Sequence, residues 1–371
     1  MSKKQNITYF YLKGRTERMS QDTPNDFFYF YKFFDKNYYN VSFIEENLTD
    51  LKPSNLFLYS IDKILRKITK LSIHSHKFLN IKNIRVVNNS DKLVFTNESV
   101  GFSLVLFLAI FRLFKNIDTN VFIMGSFDKV KKFGAFSRIY LKFMISTYDK
   151  FVFLGLGELE YARKAFPKFD KKFYYLPFSV DQEFWSPTHC LVENQEEKNV
   201  LFVGNDLNRD YKFLTELCNE SENIKFTIIT NRINPKAIKS SNAVIVNGGW
   251  KESKISDADL RKIYAESTIS IIPLIETYQP SGQSVALQSM SMETPVVITK
   301  TNGFWDKDMF THQENIILME ENNVNTWKKT LESLMNDRDN LSKIAESAKL
   351  TIAKGLNQKE LFQKFLIILN S

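Results

Sequence analysis

The sequence predicts an α/β protein of two domains, each a mostly parallel sheet with helices on both faces. Three observations predict it. Short apolar runs alternate with longer amphipathic stretches along nearly the whole chain. A polar, glutamate-rich segment at 191–198 divides that alternation in two. Residues 269–298 read as strand, small-residue loop, helix, strand, the form of a βαβ unit. With 371 residues, 43% of them apolar, the chain is long enough to build two cores.

In the first half, 7–12 reads as the first strand, and Gly14 and Arg15 open a polar loop after it. Residues 24–34 read as a helix with Thr23 as N-cap and Pro24 at its first position. A strand follows at 40–44, a helix at 55–69, and short strands at 84–87 and 93–96. The run 100–114 holds Arg112 and falls short of the roughly 20 apolar residues a membrane span needs, so it reads as a buried helix. Strands at 120–124, 151–154 and 173–176 alternate with helices at 131–146 and 157–165. His74 and His76 read as loop residues rather than metal ligands.

In the second half, strands are expected at 199–203, 226–230, 243–246, 269–274, 295–298 and 315–319. Ser256 and Asp259 resemble a capping box, which explains Asp257-Ala258-Asp259 better than a metal motif does. Helices at 324–335, 341–354 and 358–369 end the chain. The loop 280–284, Pro-Ser-Gly-Gln-Ser, feeds a helix that starts near Ser284 and turns Val285, Leu287 and Met290 inward. Free N–H groups and the helix dipole make such a loop an anion site, and Gly282 lets a ligand approach the backbone.

Charge is unevenly placed. The net charge is +8, but residues 1–190 carry 29 basic and 18 acidic side chains, a net of +11, and the remainder a net of −3. Such a first half suits an anionic surface or acidic acceptor; no nucleic-acid module is evident. Lys131, Lys132, Arg138 and Lys142 are its densest cluster, beside Phe133, Phe136, Ile139 and Tyr140. A basic, aromatic amphipathic helix of this kind either packs on the sheet or lies on an anionic leaflet. Two cysteines and an N-terminus without an apolar signal core suggest a cytoplasmic protein, here expected at the inner face of the membrane.

Order and spacing in 280–297 resemble the nucleotide-sugar site of the group 1 (family 4) glycosyltransferases, retaining enzymes of GT-B fold. Gln288-Ser289-Met290-Ser291 and Pro295-Val296-Val297 match the family's E-A-M-A and P-V-V, and Ser281 to Ser284 its glycine-rich loop. Residues 174–187 resemble the family's hinge, I-P-N-G-V-D-x-x-x-F-x-P. The resemblance implies two Rossmann-like domains facing a cleft: 1–182 on the acceptor side, a hinge at 183–198, the nucleotide-sugar domain at 199–355, and a terminal helix, 356–371, crossing back.

It further implies that Ser281, Gly282, Gln283 and Ser284 cradle the donor diphosphate and that Gln288 reaches the ribose. Gly204 opens a loop whose cations, Arg209 and Lys212, meet the leaving diphosphate, and Gly249 and Trp250 border the base. Gly14 and Arg15 face the acceptor side. Gln288 stands where the family has Glu, Asn205 where it has Arg, Glu293 where it has Gly, and Pro280 where it has the Glu that contacts the sugar. Glu276, four residues earlier, is placed to replace that last carboxylate. The implied activity is retaining transfer of a sugar from a nucleotide sugar to a glycan or lipid-linked glycan, without metal or cofactor, in cell-surface polysaccharide or glycolipid synthesis. Pro280, together with the absence of a histidine after the strand 120–124, supports a second reading, a degenerate nucleotide-sugar-binding partner protein.

Overall fold

The computed structural model describes residues 4–19, 22–47, 55–127, 134–190, 198–248 and 255–371. The chain forms two compact units. One comprises Met1–Leu176 with Phe362–Ser371, the other Pro177–Leu361.

The first unit is built on six parallel strands: β1 (Gln5–Tyr11), β2 (Tyr39–Glu45), β3 (Lys92–Phe95), β4 (Asp118–Ile123), β5 (Lys150–Phe153) and β6 (Phe173–Tyr175). Their spatial order is β2-β1-β3-β4-β5-β6, so the connections run outward in both directions from the β1/β3 pair. Alternate residues of a strand face opposite sides. Phe10 of β1 joins the main core with Leu93, Phe95, Val121 and Phe151. Tyr9 and Tyr11 face an aromatic layer, where their hydroxyls donate to the carbonyls of Tyr29 and Phe28 at 2.9 and 2.8 Å. Burial holds both phenols well above their ordinary pKa. The helices Glu98–Phe111 and Ala135–Thr147 lie side by side, joined by a hydrogen bond from Tyr140 Oη to the Phe102 carbonyl at 2.9 Å.

Two elements differ from expectation. Residues 24–34 form no α-helix but two single 3₁₀ turns, Asp26–Phe28 and Tyr31–Phe33. Tyr29 and Phe30 between them are left-handed, with φ of 47° and 67°. An α-helix shows one face to its core, whereas Phe28, Tyr29, Phe30 and Phe34 are all buried. Breaking the helix turns every ring inward. Residues 84–87, read as a strand from their β-branched side chains, lie in the helix Ile81–Asn89. The Asn80 side chain caps that helix, accepting from Asn83 N at 2.9 Å.

In the second unit the strands are β7 (Asn199–Val203), β8 (Lys225–Ile229), β9 (Ala243–Val246), β10 (Ile269–Ile272), β11 (Val296–Thr299) and β12 (Ile317–Met319). All pair in parallel, in the order β12-β11-β10-β7-β8-β9. β10 and β11 are buried on both faces, in keeping with runs that are apolar apart from Ser270 and Thr299. The capping box of Ser256 and Asp259 forms at the start of the helix Asp257–Ala265. The topology again reverses at one pair of strands, here β7 and β10.

Candidate functional site

In an open parallel sheet, ligands bind where the carboxyl ends of two strands diverge at the reversal of strand order. In the second unit that point lies between the loops after β7 and β10. The two loops are stitched together: Asp210 N donates to the Pro273 carbonyl at 3.0 Å, and Ile275 N to that of Asn208 at 2.9 Å. Arg209 and Leu274 form the antiparallel bridge between them.

The stitch presses Arg209 inward. Its side chain is 3% exposed, and its Nε lies 3.1 Å from Asp206 Oδ2, at an angle that gives charge attraction without a formed hydrogen bond. Nη1 is buried and has no hydrogen-bond partner among the described residues. Two glycines make room for the guanidinium. A Cβ on Gly204 would stand 2.5 Å from Arg209 Nε, and one on Gly282 would stand 2.7 Å from Nη1. Gly282, with a φ of +81°, is left-handed and serves as N-cap of the helix Gln283–Ser291 without a side-chain cap. The N–H groups of a first helical turn lack intrahelical partners and carry the positive end of the dipole. Arginine and helix N-terminus thus converge, which is how a protein receives a phosphate group.

Polar side chains fix the loop above this point. Asn208 Nδ2 donates to Ser281 Oγ at 2.8 Å and to Gln279 Oε1 at 3.0 Å. Asn322 Nδ2 donates to Asp210 Oδ2 and to the Leu274 carbonyl, both at 2.9 Å. Asn208, Gln279 and Asn322 were not singled out in the sequence. The Gln-Pro-Ser-Gly and Asn-Arg-Asp runs were the available signal for the first two.

Of the residues expected at a nucleotide site, the structure brings Gly204, Arg209, Ser281, Gly282, Gln283 and Ser284 together. Gln288 lies one and a half turns into the same helix and is buried. Lys212 stands apart: its side chain is 88% exposed, on the helix Tyr211–Glu220, 3.8 Å from Glu216. Glu276 is exposed, and its Oε1 accepts from both N and Nδ2 of Asn302 at 3.0 Å. Asn205, where a cation was sought, instead fastens its own loop, donating to the Gly248 carbonyl at 2.8 Å. Gly249 and Trp250 lie outside the described residues.

In the first unit, Gly14 has a φ of +93° and Arg15 begins the five-residue helix Arg15–Met19. That helix end is already satisfied, since Glu45 accepts from the backbone N–H groups of Arg15 and Thr16 and from Thr16 Oγ1. The Arg15 guanidinium rests over the Phe27 ring, 5.0 Å from its centroid, and burial lowers its pKa. His76 is held by buried Asp62, with Nδ1 2.6 Å from Oδ2.

Residues 197–337, within the second unit, match the family model described as glycosyl transferases group 1. No curated protein matches the sequence. Among solved structures, a sucrose-phosphate synthase from Thermosynechococcus elongatus is 11% identical, with a TM-score of 0.70 over 99% of this chain and 98% of that one. A glycosyltransferase from Rickettsia africae is 14% identical, with a TM-score of 0.66 over 99% and 98%. HepE of Anabaena, solved in complex with UDP, is 10% identical, with a TM-score of 0.65 over 99% and 100%.

Proposed function

We propose that this chain, a divergent group 1 glycosyltransferase of GT-B fold, moves a sugar from a nucleotide-sugar donor to a hydroxyl of a glycan or lipid-linked glycan, with retention at the anomeric carbon. The observation that carries the reading is Arg209 Nη1, buried and without a hydrogen-bond partner among the described residues, beside Gly282 at the N-cap of the helix Gln283–Ser291. As the glycosidic bond breaks, negative charge grows on the departing diphosphate. A fixed guanidinium meets that charge more strongly in the transition state than in the ground state, so it raises turnover and not only affinity. Ser281 and the first-turn N–H groups hold the remaining phosphate oxygens. Gln288 offers the ribose a neutral hydrogen-bonding group in place of a carboxylate. The mechanism assigns no protein general base: the donor phosphate takes the acceptor proton. It also uses no metal, because arginine and dipole supply the positive charge.

HepE of Anabaena has been solved with UDP and with UDP-glucose, which makes uridine diphosphate the first nucleotide to try. The test is isothermal titration of UDP, GDP and ADP, followed by a screen of nucleotide sugars for donor hydrolysis or transfer. Binding of one nucleotide together with donor turnover is expected; no binding of any at millimolar concentration would refute the reading. Pro280 favours the second reading, a nucleotide-sugar-binding partner without activity, because it removes a carboxylate from the sugar side. Nucleotide binding without turnover of any donor would select it.

A further inference from the structure

A strip of apolar side chains on the first unit faces water. On the helix Ala135–Thr147, Ser137, Tyr140, Leu141, Met144 and Ile145 are buried against the unit. The opposite face presents Phe136, Ile139 and Phe143, and the first two are 64% and 65% exposed. Their spacing of three and four residues places them in one row. The neighbouring helix Glu98–Phe111 shows its own outward row, with Leu106 and Ile110 exposed and Leu113 and Phe114 just beyond its end. The helix Leu56–Thr69 touches Ala135–Thr147, where Ser137 Oγ donates to the Thr69 carbonyl. It adds exposed Phe57, Ile64 and Ile68.

Charge decides what such a surface meets. The helix Ala135–Thr147 contains no acidic residue. The helix Leu56–Thr69 contains one, Asp62, which is buried and engaged by Ser75 and His76. The exposed positions between the apolar ones are instead Lys63, Lys67, Lys70, Arg138 and Lys142. Exposed apolar rows whose exposed charged neighbours on these two helices and at Lys70, among the described residues, are all cations suit a surface that is greasy beneath and negative at its rim. A soluble protein partner would need carboxylates spaced to match five separate cations. A bilayer containing anionic lipid supplies both properties without any register.

From this charge pattern we infer that the first unit docks on an anionic membrane leaflet through the outer faces of the helices Leu56–Thr69 and Ala135–Thr147. The cations lie among the headgroups, while Phe136, Ile139 and Phe143 enter the acyl boundary. Each basic side chain close to such a leaflet strengthens partition roughly fivefold, so five together give stable yet salt-reversible binding. No helix among the described residues is long and apolar enough to cross a membrane, which makes this a contact with one leaflet. Of the sequence's basic cluster, Arg138 and Lys142 are on this surface, while Lys131, Lys132 and Phe133 lie outside the described residues. The inference is independent of the transferase reading.

The test is co-sedimentation of the full chain with vesicles of phosphatidylcholine alone or with roughly one third phosphatidylglycerol, at low and high salt. Binding to the anionic vesicles should be at least ~10-fold tighter and should fall steeply as salt screens the cations. Two variants, I139D with F143D, and K63Q with K67Q, R138Q and K142Q, should each weaken it ~10-fold or more. Their thermal unfolding midpoints should stay at the wild-type value, because every substituted side chain is exposed or on the exposed face. Emission of F136W should shift to the blue when anionic vesicles are added. Equal binding to both vesicles, no binding to either, or wild-type binding by both variants would overturn the proposal. So would salt-sensitive binding with no blue shift, which would mark the surface as a polyanion site.

Discussion

The two units share a plan, a six-stranded parallel sheet whose strand order reverses once, yet they treat the carboxyl ends of their strands in opposite ways. In the first unit the protein's own carboxylates occupy the backbone donors there. Glu45 takes the N–H groups of Arg15 and Thr16. Buried Glu158 takes those of Gly125 and Phe127 after β4, at 2.7 and 2.9 Å, and buried Glu98 that of Met124. In the second unit the N-cap of the helix after β10 is Gly282, which has no side chain to cap it, with Arg209 behind it. The first rim fills its donors with the protein's own carboxylates, while the second sets an arginine beside a glycine-capped helix start, the feature on which the proposed phosphate site rests. Net charge misleads on this point. The half that is more positive overall has the carboxylate-lined rim and carries exposed cations on its outer helices.

Arg209→Ala attacks the contrast where it is strongest. It should lower kcat/KM for the donor by about 10²–10³-fold, much of it in kcat, as loss of one preorganised donor to developing charge does. Arg209→Lys should recover only part, since a point charge does not reproduce the guanidinium fork. Unchanged turnover in Arg209→Ala would remove the residue from the mechanism.

Gly282→Ala comes next. A side chain there meets Ile272 at 2.6 Å and Arg209 Nη1 at 2.7 Å, and the backbone is left-handed. It should cost about 1–3 kcal/mol of stability and raise the nucleotide Kd. Calorimetric unfolding and titration on the same preparation read both effects. Gly204→Ala separates them. Its φ is not positive, and the three atoms nearest its new methyl group all belong to the Arg209 side chain. Nucleotide Kd should rise ~10-fold with a small change in midpoint; a fall in midpoint without a change in Kd would show that the glycine serves packing alone.

The smallest effect sharpens the other side. Glu45→Ala removes the cap of a short surface helix and should cost about 1 kcal/mol. Nucleotide affinity should not change, and a weakened Kd would mean that the two rims are not independent.

Much of this architecture was legible in the sequence, because each of the twelve strands falls on an expected run with end shifts of a few residues or fewer, and β10 and β11 are largely apolar stretches. The two misread segments have different causes. In 27–34 every side chain but Lys32 is aromatic, so no face distinguishes inside from outside, and the fold resolved this with left-handed Tyr29 and Phe30. In 84–87 Ile84, Val86 and Val87 have strand propensity, but the Asn80 cap and packing of Val87 outweigh it. At the candidate site, Arg209 and the Ser281–Gly282 loop could be picked out in the sequence because each follows a strand-like run at the spacing of the family's pattern. Asn208 and Asn322 were not, since asparagine is common in this chain and their value lies in partners many residues away. Lys212 shows the reverse: a cation at the right spacing on the solvent face of its helix.

The end of the chain completes the beginning. Phe362 and Phe365 pack on Phe30 with ring centroids 6.0 and 5.4 Å apart, Phe365 also on Phe122, and the Leu369 carbonyl accepts from Lys92 Nζ at 2.7 Å. These residues follow the whole second unit, Pro177–Leu361, which separates them from Leu176 by 185 residues or more. During synthesis the first unit therefore leaves the ribosome with its aromatic layer uncovered. At typical translation speeds it waits on the order of 10–40 s for its last helix. A nascent chain halted near position 355 would hold a finished β-sheet with an open, greasy side, the form that chaperones bind. Loss of Phe362–Ser371 would thus injure the part of the protein made first.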